Sequence, residues 1–232
     1  MTDYIFKVNS NSNQLQIDGN SDVYFLAEVG SLAIDNFDYT TKVSYSSTKL
    51  TYPLVFFKPN TGRYTQFGWH SRNGNLLNGF YMQSQQTSVV ETIDWKLFFP
   101  YSLSSNSNTF GLEVFNSRGE PTLKDFGEKL IIKKVYEVTL ERGTDWYDAT
   151  TKYVDVTHNV TNAYFLLSFI PIICSFVSGF STAFYKVGLK KISDSVVRIG
   201  WSLFPGEVSL QIGAEGNIIV LPPTIKLLVI GD

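Results

Sequence analysis

Residues 164–183 read YFLLSFIPIICSFVSGFSTA, and how this stretch is read decides the fold. A membrane-spanning helix needs about 20 predominantly apolar residues, and the length here is sufficient. The interior is not suitable. Pro171 and Gly179 interrupt it, serines punctuate it, and its Phe, Ile and Val residues favour pleated over helical backbone. The stretch is expected to form two buried strands, in a protein that needs no detergent. Cys174, the only cysteine of the chain, lies within it. One cysteine excludes an internal disulfide and a cysteine-based zinc site, and apolar neighbours suit a buried small hydrophobe.

Outward from this stretch the pattern persists. Segments such as DVYFLAEVG (22–30), TYPLVFFKP (51–59), RYTQFGWH (63–70), TIDWKLFF (92–99), KLIIKKVYEVTLE (129–141), SVVRIGWSLF (195–204) and TIKLLVI (224–230) are rich in aromatic and β-branched residues. Turn clusters separate them: KPNTG at 58–62, SRNGN at 71–75, and GAEGN at 213–217 inside the hairpin-like QIGAEGNIIV. No apolar 3.6-residue period lasts three turns. The expected class is all-β, of β-sandwich type. The polar run SLSSNSN at 102–108 reads as a linker. It divides the chain into two β domains in tandem, 1–105 and 106–232.

Composition narrows the function. Charged residues make up 17% of the 232 residues, against roughly 25% in an average soluble domain. Aromatics reach 15%, and the net charge is −2. Nucleic-acid binding normally needs a basic face, so no nucleic acid is expected as partner. The opening MTDYIFKVNSNSN has neither the basic start nor the apolar run of a leader.

Two segments begin alike: YIFKVNSNSNQLQI at 4–17 and FGLEVFNSRGEPTL at 110–123. Setting Tyr4 over Phe110 gives an offset of 106 residues (110 − 4), which also brings Val8 onto Val114 and Val29 onto Val135. Only those Val pairs are identical. Short hairpins resemble one another through their turn chemistry alone, so the pattern reads first as two similar hairpins and only second as a duplication. The segment FGLEVFNSRGEPTLKDFGEKLIIKKV (110–135) resembles tail proteins of bacteriophages. The likeness is carried by Phe110, Gly111, Leu112, Val114, Phe115, Asn116, Gly119, Thr122 and Asp125. The resemblance implies a virion structural protein of the tail tip, baseplate or fibre region, made in the host cytoplasm, with other tail proteins as partners.

Catalytic patterns are sparse. The two histidines, His70 and His158, sit in no HExxH or HxH arrangement. GxSxG and phosphate-loop patterns are missing. No enzyme activity, cofactor or metal is expected. A carboxylate pair needs no local motif, so Asp145 and Asp148, beside Trp146 and Tyr147 in RGTDWYDAT, are candidates for carbohydrate contact. A solvated turn capped by its Asp side chains is the simpler reading. Trp69 and His70 in RYTQFGWHSRNG form a second candidate platform, with alternation sending Thr65, Phe67 and Trp69 to one face. The competing function is therefore a carbohydrate-binding module that contacts a host surface glycan.

Assembly is the leading expectation. Residues 129–141 read as a long edge strand with lysines and glutamates as partial gatekeepers against uncontrolled pairing. Residues 224–230 follow Pro222-Pro223 as a final apolar strand that needs a partner. Both point to a homo-oligomer or virion ring.

Overall fold

The computed structural model describes residues 5–9, 14–18, 24–34, 40–49, 53–85, 90–100, 113–115, 121–124, 130–141, 150–168, 172–178, 181–203, 219–220 and 224–232. They form an all-β structure with two large antiparallel sheets in a sandwich-like arrangement. Two short hairpins accompany them: β1 (Ile5–Asn9) with β2 (Gln14–Asp18), and β9 (Glu113–Phe115) with β10 (Pro121–Lys124). The two segments that begin alike in sequence thus both fold into two-stranded antiparallel ribbons.

The N-terminal half supplies β3 (Tyr24–Ile34), β4 (Thr40–Lys49), β5 (Leu54–Phe57), β6 (Thr65–Asn73), β7 (Leu76–Ser84) and β8 (Glu91–Pro100). The C-terminal half supplies β11 (Lys134–Val138), β12 (Tyr153–Thr157), β13 (Tyr164–Leu167), β14 (Ile172–Ser178), β15 (Ser181–Ser193), β16 (Val196–Leu203), β17 (Ile219–Val220) and β18 (Ile225–Ile230). One sheet runs β11-β18-β13-β5-β8-β3, and the other runs β12-β16-β15-β6-β7-β4 with β14 and β17 added beside β15.

The order reads alike from either edge. In each half the first, last and third strands of a six-strand set lie in one sheet, and the second, fifth and fourth lie in the other. Here β14 and β17 are additions to the C-terminal set. The halves meet through β13 and β5, at Phe165 opposite Phe57, and through β15 and β6, at Leu189 opposite Thr65. Each sheet therefore carries strands from both sides of residue 105, which itself lies outside the described residues. Continuous sheets with a repeated strand order describe this arrangement.

The sheets are held by a core drawn from both faces and both halves, including Phe57, Trp95, Phe99, Phe165 and Leu227 from one sheet and Phe80, Met82, Leu189, Ile199 and Trp201 from the other. Phe80 meets Trp95 edge-on at 5.4 Å between ring centroids, and Tyr45 meets Phe99 edge-on at 5.9 Å, geometries that aromatic quadrupoles favour. A smaller cluster of Phe56, Phe98 and Ile230 packs with Leu130 and Ile132. The amide of Leu130 donates to Tyr24 O, and that of Lys133 to Val229 O. Residues 130–133 thus connect the two ends of the six-stranded sheet.

The apolar stretch that opened the reading is divided among β13, β14 and the start of β15. Among the described residues no helix is long and apolar enough to cross a membrane. The final strand β18 is paired on both sides, by β11 and β13.

Candidate assembly surface and polar cavity

Trp69 and His70 are neighbours in sequence, but they do not form one platform. A bulge in β6 sets Phe67 opposite Met82 and His70 opposite Phe80, which leaves Gly68 and Trp69 across from Tyr81 alone. The extra residue resets the alternation. Phe67 and His70 turn to the core side, their rings 4.8 Å apart, and Trp69 lies against Tyr81 at 4.8 Å on the opposite face. The alternation read from sequence, with Phe67 and Trp69 on one face, is corrected by this bulge. The Nδ1 of His70 shares a 2.9 Å hydrogen bond with the Tyr45 hydroxyl. Burial pulls the imidazole down to about 4 and raises the Tyr45 phenol above its ordinary value, with Glu28 adding to the effect. Trp69 remains exposed. Asp145, Trp146, Tyr147 and Asp148 lie outside the described residues.

Strand β12 carries a cluster the sequence did not announce. Arg198 donates from Nε and Nη2 to the two carboxylate oxygens of Asp155, at 2.7 and 2.8 Å, and its guanidinium lies 3.6 Å from the Tyr153 ring centroid. The bidentate bond holds the Asp155 carboxyl below its ordinary value. The arginine occupies both carboxylate oxygens of Asp155. Among the described residues no group of three His, Cys, Asp or Glu side chains is placed to hold a metal.

The sheet edges are the second feature. β3 and β11 end the six-stranded sheet at opposite sides. Val29 on β3 is 60% exposed and Val135 on β11 is 55% exposed. They occupy matching positions at the 106-residue offset, on strands that take the same place in the repeated order. Ile131, just before β11, is 61% exposed.

The third is a cavity of about 700 Å³ where the halves meet. Lys58 and Asn60 border it from the segment after β5, Asp94 from β8, residues 158–163 from the β12–β13 loop, and residues 193–195 from the β15–β16 turn. Backbone bonds fix this mouth: Lys191 N–H to Asn60 O and His158 N–H to Ser195 O, both at 2.9 Å. The loop makes its turn with Asn159 and Asn162 at φ of 50° and 52°, left-handed positions that Asn tolerates better than most residues. Lys58 Nζ donates to Asn162 Oδ1 at 2.5 Å and lies 3.9 Å from Asp94.

His158 lines the cavity and is 3% exposed, with its ring edge-on to Phe165 at 5.1 Å. The amide of Val160 donates to its Nδ1 at 3.2 Å, so the neutral ring carries its proton on Nε2. Burial, with the charge of Lys191 adding to it, keeps this imidazole below its ordinary value. THNVTN and KPNTG each read as turn chemistry in sequence, and nothing in either signalled that they would face one another.

Compared with protein families, curated proteins and solved structures, the chain matches none.

Proposed function

We propose that this chain is a non-enzymatic structural component of a bacteriophage virion, located at the tail and acting through assembly with its own copies and other tail proteins. The virion assignment rests on the likeness of residues 110–135 to phage tail proteins. In the same reading, residues 1–105 and 106–232 are two β units in tandem, fused through β5·β13 and β6·β15. The assembly role is carried by one observation: β3 and β11 end a six-stranded sheet at opposite edges, each with an outward valine more than half exposed. Outside the bond from Leu130 N–H to Tyr24 O, edge strands with exposed apolar side chains favour pairing with another chain.

Sedimentation velocity of the purified chain tests this. The intact protein is expected to form a discrete oligomer, and the Val29→Lys, Val135→Lys double variant a folded monomer. A monomer at high concentration for the intact chain, with no label on tails by immunogold microscopy, would overturn the proposal.

A second reading, host-glycan contact, is favoured by the exposed Trp69 stacked on Tyr81, because aromatic faces stack on sugar rings. Under this reading Trp69→Ala abolishes binding on a glycan array while leaving the oligomer intact. Equal signals from both proteins would remove it.

A further inference from the structure

The face of the second sheet that points away from the core is set by alternation. Phe80 and Met82 are fully buried in the core, so Gly79 and Tyr81 face outward, and on β4 Ser44 and Lys42 lie directly opposite them. The bulge in β6 lays Trp69 against Tyr81 on this same face. A glycine inside a strand packs nothing of its own and marks a place where other groups approach closely. At Gly79 one such group is Lys42: a Cβ on this glycine would meet Lys42 Cε at 3.3 Å. The lysine stem therefore turns from its place opposite Tyr81 and lies along the sheet over Gly79. Its ammonium is set one strand away from β6, which carries Trp69.

Three other cations of this face are engaged. Arg198 is paired with Asp155, Lys186 donates to Gln83 Oε1 at 3.1 Å, and Lys190 lies 6.0 Å from the Tyr64 ring centroid. Lys42 differs. It is exposed, and among the described residues it forms no ion pair, hydrogen bond or ring contact. Trp69 beside it is 39% exposed and stacked on Tyr81 at 4.8 Å. A flat ring next to an uncompensated cation complements a ligand that joins an apolar ring face to a negative group. A neutral sugar would use the ring and leave the charge unmatched.

We infer that Trp69, Tyr81 and Lys42 form a binding site for an acidic saccharide, in which a uronic acid ring stacks on Trp69 and its carboxylate pairs with the Lys42 ammonium. The inference rests on the glycan-contact reading and names the class of sugar.

Oligogalacturonate and its methyl ester share one sugar and differ in charge, so they separate the two parts of the site. The full chain is titrated with each by calorimetry. Saturable binding of the acid is expected, with the ester about tenfold weaker, the scale of one charge-assisted contact. Raising the salt concentration should weaken the acid and leave the ester unchanged. Lys42→Gln should bring the acid down to the level of the ester, Lys42→Arg should retain the preference, and Trp69→Ala should lose both ligands. Lys42 is exposed on an edge strand, so its variants fold as the intact chain does. Equal affinity for acid and ester, or an unchanged preference in Lys42→Gln, would overturn the inference and leave glycan contact standing. Failure of both probes, with a glycan array that responds only to neutral sugars, has the same meaning. An array blank for every saccharide removes both readings.

Discussion

Arg63 is among the largest side chains the molecule hides completely. Its Nε donates to Glu91 Oε2 at 3.0 Å and its Nη1 to Ser84 Oγ at 3.1 Å, while Glu91 also accepts the Gly62 amide at 3.1 Å. Removing one member of a buried ion pair strands the other. Arg63→Met is therefore expected to cost about 3–5 kcal/mol, and the double variant Arg63→Met, Glu91→Gln distinctly less than the sum of the singles. Urea unfolding of the three variants checks this, and additive losses would contradict it. His70 supplies a pH signature. Its folded value is about 4 against 6.5 for an ordinary imidazole, so between those values the unfolded chain binds the extra proton. Stability should fall as pH drops through that window, by on the order of 2–3 kcal/mol, and level off below it. His158, also lowered, acts in the same direction. In His70→Gln the slope should shrink, as read from denaturant midpoints between pH 7 and 4.

Strands β4 and β12 show how an element escapes a reading by composition. Their sequences, TTKVSYSSTK and YVDVT, lack the continuous apolar runs of inner strands such as β5. They are the outer edges of the second sheet, so one face packs inward, as with Val43, Tyr45 and Val156, while Lys42, Ser44 and Asp155 meet solvent. The alternation is clean once the partner sheet is known. The Asp155–Arg198 pair joins directly opposed residues of β12 and β16. Being partly exposed, it should contribute less than about 1 kcal/mol. Asp155→Asn is expected to lose that amount at neutral pH and nothing in acid. The sign follows from the lowered carboxyl: its contribution is present above the ordinary Asp range and vanishes as pH falls through the folded value. The β6–β7 turn was legible at Asn73-Gly74. Gly74 has φ of 61° and nothing near a built Cβ, so Gly74→Ala isolates backbone strain. About 1 kcal/mol, or a midpoint lowered by roughly 2–4 °C, is expected by calorimetry.

At the scale of the whole molecule, the junction ties the halves into shared sheets and a shared core. Residues 1–105 and 106–232 expressed separately would expose the joining edges at β5, β6, β13 and β15. Each is expected to aggregate alone, and co-expression should recover a folded, co-purifying pair. Two soluble, independently cooperative halves would contradict the continuous sheets. The last strand belongs to the same whole. Ile225, Leu227 and Val229 are almost fully buried on β18, between two neighbours, so removing residues 222–232 should abolish folding rather than assembly alone, as circular dichroism would report.

The class of the fold is written locally. Aromatic and β-branched segments, Asn-Gly and Pro-rich turns, and Pro171 inside the apolar stretch each act on neighbouring residues, and they dictated antiparallel β structure without a partner in view. The likeness between residues 4–17 and 110–123 was equally local, and both became hairpins. Pairing across a hundred residues is different in kind. Phe57 opposite Phe165, the matching exposure of Val29 and Val135, and Lys58 facing His158 across a cavity depend on which edges meet. Hydrogen bonding between strand edges is nearly blind to side-chain identity. Only burial of the common core selects the partner edge, and that selection exists only in the assembled sheets.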